Sequence, residues 1–303
     1  MPAAAPWLLY FDDEAAPAQR LADAAGLTAR AIERHRFPDG EWRIRLPLDA
    51  AGHLPARAVL LRSLHTPNEK LIELLLAART ARSLGVQHLT LVAPYLAYMR
   101  QDMAFEPGQA VSQRIVGAWL AELFDAAITV DPHLHRVATL GEALPLAQAV
   151  VVSAAPALGR LAAAQRPGCV LVGPDGESAQ WVAQAAAAAG LAHAVCTKER
   201  LGDREVRIAL PPGVAVQGRP VVLLDDMAST GRTLALAARL LRQAGATSVD
   251  VAVTHALMGG DAWAQLQQSG IGTLWSTDCV PHGSNAVNMA PDLAAALRSI
   301  GAA

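Results

Sequence analysis

Short runs of β-branched and leucine residues alternate with longer alanine-rich stretches along this chain. That pattern marks buried parallel strands joined by helices that cover both faces of a sheet. In the first half it predicts strands at 7–11, 59–61, 89–92 and 127–130, with helices at 68–83 and 111–123. The second half repeats the order: strand 169–172, helix 178–189, a strand around 193–195, strand 221–224, helix 233–243 and strand 248–253. The expected fold is α/β, with two doubly wound units, each a mainly parallel sheet flanked by helices. The expected domains are 1–148 and 149–290, followed by a terminal helix within 291–303 that packs back on the first.

Bulk properties narrow the function classes. A length of 303 residues suits two domains of ordinary size, and 52% hydrophobic residues against 17% charged supply buried cores. A net charge of −2 argues against a nucleic-acid partner, which would leave a basic footprint. The uncharged stretch 143–159 contains Pro145 and Pro156 and is too short to span a bilayer. Residues 7–11 lack a basic leader and meet Asp12 and Asp13 at once, so they read as a strand rather than a targeting signal. Cys169, Cys196 and Cys279 show no Cys-x-x-Cys spacing and read as reduced, packed thiols. The expectation is a soluble, cytoplasmic protein without membrane or nucleic-acid partners.

The most informative segment begins where strand 221–224 empties into Asp225-Asp226-Met227-Ala228-Ser229-Thr230-Gly231-Arg232-Thr233 ahead of a helix. Two carboxylates at the end of a buried strand are costly unless something binds them. The hydroxyl-glycine turn offers backbone N–H groups at a helix N-terminus, where an anion is favoured. Carboxylates for a diol beside amides for a phosphate describe a site for ribose 5-phosphate. The plainer alternative is a surface turn in which Ser229 or Thr230 caps the helix.

Other polar groups also follow predicted strands. Phe37-Pro38-Asp39-Gly40-Glu41 carries two acids on ordinary turn chemistry. Tyr95 and Tyr98 precede Arg100, Gln101 and Asp102; arginine can fork onto a phosphate and glutamine can read a base edge, although a solvated loop over buried tyrosines fits equally. His133 and His135 invite a zinc site, but no cysteine or third histidine has ligand spacing nearby, and structural histidines are the alternative. Asp175 and Glu177 could hold magnesium or a sugar. Lys198, Glu199 and Arg200 lead into Gly202 and Asp203 as a cationic turn, or as a solvated charge run.

In this order the segments resemble the motif series of the ribose-phosphate diphosphokinases from Phe37 to Asp278. Type I phosphoribosyltransferases share only the last loop. The resemblance implies two type I phosphoribosyltransferase-like domains. It implies that Phe37, Asp39 and Glu41 serve an ATP site on a neighbouring subunit of a homo-oligomer, and that Arg100 and Gln101 bind ATP. His133 and Asp175 would ligate or position Mg2+, and Lys198 and Arg200 would sit on the catalytic loop. Asp225 and Asp226 would hold the ribose hydroxyls, and Ser229, Thr230, Gly231, Arg232 and Thr233 the 5-phosphate.

The implied reaction moves the diphosphoryl group of ATP to the 1-hydroxyl of ribose 5-phosphate, giving PRPP and AMP. A PRPP-consuming transferase, a catalytically silent regulatory homologue and an enzyme of altered specificity are the rivals. The family loop commonly reads Asp-Thr-Gly-Gly-Thr where this chain has Ser229-Thr230-Gly231-Arg232-Thr233, a serine that resembles the archaeal-type branch. Arg232 can keep the phosphate contact only if its φ is negative.

Overall fold

A computed structural model describes the backbone of residues 5–200, 206–210 and 214–303; the side chains of 198–200 and 206–208 also lie outside the described set. The chain forms two compact units, Met1–Val152 with Met289–Ala303, and Ser153–Asn288.

Unit 1 runs β1 (Trp7–Phe11), α1 (Ala15–Ala25), β2 (Thr28–Arg36), β3 (Trp42–Arg45), β4 (Arg57–Leu61), α2 (Pro67–Ser83), β5 (His88–Ala93), α3 (Ser112–Ala121), β6 (Ala126–Val130), α4 (Leu140–Ala143) and β7 (Gln148–Val152). Its sheet has the order β3-β2-β1-β4-β5-β6-β7. Every pairing is parallel except the β2–β3 hairpin. The central strands are buried on both faces, with Leu8, Leu9, Leu60, Leu89, Leu91 and Ile128 wholly covered. α2 turns Leu74, Ala77, Ala78 and Ala81 inward, a helical stripe whose small residues let the helix lie close to the sheet. β7 pairs with β6 from Gln148 to Val152, so the chain leaves this sheet only after Val152.

Unit 2 runs α5 (Ala155–Gln165), β8 (Val170–Gly173), α6 (Ala179–Ala189), β9 (Ala192–Val195), β10 (Thr197–Arg200), β11 (Val206–Ala209), β12 (Pro220–Ala228), α7 (Arg232–Gln243), β13 (Ser248–Ala256), α8 (Gly260–Gln268), β14 (Ile271–Thr277) and β15 (Asn285–Val287). The sheet order is β15-β14-β13-β12-β8-β9, all parallel, with β10 and β11 as a separate antiparallel hairpin. α7 buries Leu234, Ala237, Ala238 and Leu241 at spacings of three and four residues. α9 (Ala290–Ser299) returns to unit 1, where Arg298 Nη1 donates to the Ala24 carbonyl at 2.9 Å and Arg57 Nη2 to the Gly301 carbonyl.

The two units share a layout. In each, a first strand leads through a helix to an outer neighbour and a hairpin, and the chain then crosses back to continue on the other side. The strand expected at 221–224 is longer: β12 runs on to Ala228, because Asp225, Met227 and Ala228 still pair with Val253, His255 and Ala256 of β13. The acid pair thus sits on the strand rather than after it.

Candidate active site

In unit 2 the chain order reverses between β8 and β12, and the crevice beyond the carboxyl ends of such strands is where doubly wound sheets bind ligands. Asp175 stands two residues past β8, while Asp225 and Asp226 lie near the carboxyl end of β12. Asp226 is buried, and its amide donates to Asp225 Oδ1 at 3.0 Å. The Asp225 carboxyl, only partly open to solvent, is held well above the usual carboxylate range, first by desolvation and then by the charges of Asp226 and Asp175. Three acids therefore converge electrostatically at one point. The Glu177 amide donates to Asp175 Oδ1 at 3.1 Å and orients it toward the turn that follows β8.

The turn after β12 completes the crevice. Ser229 and Thr230 lead to Gly231, which caps α7 at φ 71°, a left-handed conformation that suits glycine. A β-carbon built there would lie 2.8 Å from Leu266 Cγ. α7 starts one residue earlier than expected, at Arg232, whose φ is negative as a phosphate contact through its N–H requires. The first N–H groups of α7 have no acceptors within the helix and suit an anion. The Arg232 side chain lines a cavity of about 260 Å³ between α7 and α8, together with Arg239, Gln265 and Gln268.

The remaining candidates divide between the units. Phe37, Asp39 and Glu41 form the exposed tip of the β2–β3 hairpin, where the Phe37 amide donates to the Glu41 carbonyl at 2.8 Å and the Glu41 amide to Asp39 Oδ1 at 3.1 Å. Gly40 takes φ 97° to close that turn. Arg100 is exposed after β5, and Gln101 Nε2 donates to the Met103 carbonyl at 2.9 Å. The buried Asp102 accepts from Arg136 Nη1 at 2.7 Å. His133 bonds through Nε2 to His135 beyond β6. His133 belongs to unit 1 and Asp175 to unit 2. Lys198 and Arg200 lie on β10, opposite Ile208 and Val206 of β11, and their side chains fall outside the described residues.

One cluster escaped the sequence reading. At the matching crevice of unit 1, beyond β1 and β4, Arg62 pairs with Asp13 at 2.6 Å, with Glu14 at 3.2 Å and with Glu73. Lys70 Nζ donates to the Ser63 carbonyl at 2.6 Å and to His65, and the Ser63 amide donates to Glu14 Oε1 at 2.6 Å. Burial and the neighbouring arginine lower Lys70 to about 8, and burial, Lys70 and Arg62 lower His65 to about 4. The signal was available: Asp12-Asp13-Glu14 follows the apolar run 7–11 just as Asp225-Asp226 follows the apolar run 221–224. In unit 1, however, the chain's own cations fill the crevice.

Among the described residues no three His, Cys, Asp or Glu side chains form a ready-made cage for an ion. Asp175 and Asp225 supply hard oxygen donors, and desolvation with the charges of Asp226 and Asp175 raises the Asp225 carboxyl. That set fits magnesium, which takes one or two carboxylates and completes its shell with phosphate oxygens and water.

Similarity to known proteins extends over nearly the whole chain. A family model described as the N-terminal domain of ribose phosphate pyrophosphokinase matches residues 8–123, and one described as the phosphoribosyl synthetase-associated domain matches 205–292. The ribose-phosphate pyrophosphokinase of Methanopyrus kandleri is 37% identical over 285 residues, covering 93% of this chain and 95% of that protein. Ribose-phosphate pyrophosphokinase 2 of Archaeoglobus fulgidus is 33% identical over 273 residues, covering 90% and 93%. The crystal structure of phosphoribosylpyrophosphate synthetase from Mycobacterium smegmatis matches the fold with a TM-score of 0.79 at 24% identity, over 97% of this chain and 98% of that one.

Proposed function

The chain belongs to the ribose-phosphate pyrophosphokinase family, and we propose that it transfers the diphosphoryl group of ATP to the 1-hydroxyl of ribose 5-phosphate, forming PRPP and AMP. The observation that carries the reading is the crevice between β8 and β12. It offers carboxylates at one end and the amide-lined start of α7 at the other, which matches a sugar with a diol and a terminal phosphate.

Asp225 and Asp226 accept hydrogen bonds from the ribose hydroxyls. Ser229, Thr230, Gly231, Arg232 and Thr233 hold the 5-phosphate, which fixes the 1-hydroxyl for attack. The oxygen of that hydroxyl attacks the β-phosphorus in line; the bond from that phosphorus to the α–β bridging oxygen breaks, AMP leaves with the electron pair, and the hydroxyl proton goes to solvent. Such a reaction rests on positioning and charge neutralisation rather than covalent chemistry. Lys198 and Arg200 neutralise charge on the transferred oxygens, a role that rests on the resemblance of the Lys-Glu-Arg motif. Phe37, Asp39, Glu41, Arg100 and Gln101 serve the nucleotide. Asp175, whose charge reaches Asp225 in the same unit, would hold magnesium, and the resemblance alone assigns a metal role to His133 as well. When bound, the ion screens the phosphate charges and lowers the barrier to attack.

The reading carries with it a homo-oligomer, since the hairpin tip of unit 1 is assigned to a neighbour's nucleotide. A cytoplasmic setting goes with it, in keeping with the buried free thiols of Cys169, Cys196 and Cys279. No helix among the described residues is long and apolar enough to cross a membrane. An assay with ATP, magnesium and a panel of sugar phosphates, without any base acceptor, tests the activity. Equimolar AMP and PRPP from ribose 5-phosphate are expected, and no AMP from any sugar phosphate would refute the proposal.

A further inference from the structure

The charged cluster of unit 1 does more than fill a crevice. Glu73, on α2, is almost wholly buried and is held from two sides: Oε2 by Arg62 Nη2, and Oε1 by Arg34 Nη1 at 2.6 Å. Arg62 stands just past β4 in the core of the sheet, 1% exposed, and cannot shift without breaking its pairs with Asp13 and Glu14. Arg34 belongs to β2, one arm of the hairpin whose tip carries Phe37, Asp39 and Glu41. Its guanidinium also bonds Asp12 at 2.6 Å and Asp13 at 3.1 Å, and stacks 5.4 Å from the Trp42 ring on the other arm. Arg36 reinforces the arrangement from the outside, bonding Glu69 of α2 at 2.8 Å and lying 5.5 Å from the same ring.

The hairpin is an edge element. Among the described residues β3 pairs only with β2, and its side chains alternate between half-buried (Trp42, Ile44) and exposed (Arg43, Arg45). Ile32 and Leu46 root the hairpin in the core and Ile44 packs against it, while the chain from Arg62 through Glu73 and Arg34 to Trp42 adds a charged tie between its arms and the rigid part of the unit. We propose that Glu73 is a positioning residue, which sets through Arg34 and Trp42 the angle at which the β2–β3 hairpin presents Phe37, Asp39 and Glu41 to ATP. The inference rests on the assignment of that tip to the nucleotide made above. It adds that nucleotide affinity depends on a carboxylate that touches no substrate.

Glu73→Gln and Arg34→Met, separately and together, test it in the full-length enzyme. Glu73→Gln leaves Arg62 paired with Asp13 and Glu14, so the core keeps its charge partners. The expected result is a rise of about tenfold in KM for ATP in each single variant, with kcat and KM for ribose 5-phosphate within about twofold, which is the signature of lost uniform binding. The double variant should be no worse than the singles, because both break one chain of contacts. Amide exchange at Phe37, Gly40 and Glu41 should quicken in all three, a readout that needs no turnover. A Phe37→Ala enzyme measured in parallel separates two kinds of failure. If Phe37→Ala raises KM for ATP but Glu73→Gln leaves it unchanged, the positioning role is overturned and the hairpin assignment survives. If neither variant moves KM for ATP, the hairpin assignment falls and the inference with it. A uniform loss of kcat and of both KM values in Glu73→Gln, with unchanged hairpin exchange, would make Glu73 merely structural and overturn the proposal.

Discussion

Gly231 and Leu266 approach so closely that any β-carbon at position 231 would lie 2.8 Å from the leucine Cγ. Because Gly231 also takes φ 71°, a side chain there faces both a steric clash and a left-handed backbone, the latter alone costing roughly 1–2 kcal/mol. Gly231→Ala should therefore shift the turn that leads into α7 and weaken ribose 5-phosphate binding by at least about tenfold, equivalent to ~1.4 kcal/mol. Titration calorimetry checks this. Wild-type affinity in the variant would mean that the sugar phosphate does not use this turn.

Lys198 is assigned to the charge that builds on the transferred oxygens. Removing one such electrostatic partner commonly costs on the order of 3 kcal/mol, or a hundredfold in rate. Lys198→Ala should thus lose most turnover while its ATP dissociation constant stays within about threefold of wild type (~0.6 kcal/mol). Single-turnover kinetics with separate ATP binding tells the two apart, and an active Lys198→Ala enzyme would remove this residue from the chemistry.

Asp225 gives the protein a pH signature. Its ordinary carboxyl value is 3.8, and desolvation with the charges of Asp226 and Asp175 raises it in the folded state. Between those two values the folded protein holds a proton that the unfolded chain has lost. Stability from this group is therefore greatest on the acid side of the window and declines as pH climbs through it. Urea unfolding at a series of pH values without magnesium should show that decline in wild type and a flatter curve in Asp225→Asn. Identical slopes would contradict the crowding of carboxylates in the crevice.

Asp250 anchors unit 2 far from the chemistry, near the start of β13. Arg166 forks onto its buried carboxylate at 2.7 and 3.1 Å, and the Thr273 amide donates to it at 2.8 Å. Asp250→Ala strands a partly buried guanidinium and an amide, and should cost about 3 kcal/mol of unfolding free energy. Turnover per folded molecule should stay near wild type. Chemical denaturation checks the first number and an active-site titration the second.

Much of the fold was readable in the chain because its central strands are buried on both faces and appear as unbroken apolar runs, such as Val221-Val222-Leu223-Leu224. The edges were not. β2 reads Thr-Ala-Arg-Ala-Ile-Glu-Arg-His-Arg, with only Ile32 buried, so no apolar run announces it. α5 was obscured by Pro156, which sits harmlessly in the first helical turn where its missing N–H has no acceptor to lose. The phosphate turn was legible because glycine and hydroxyl residues have narrow uses at a helix start. The Arg62–Glu73 pairing was not, since its partners are 11 residues apart in sequence, one beyond a strand and one on a helix, and only tertiary packing brings them together.

A crystal of the protein soaked with ribose 5-phosphate decides the matter most directly. The phosphate should rest on the backbone amides between Ser229 and Thr233, with the ribose diol against Asp225 and Asp226. Sugar density anywhere else, with that crevice empty, would contradict the assignment on which the proposed reaction stands.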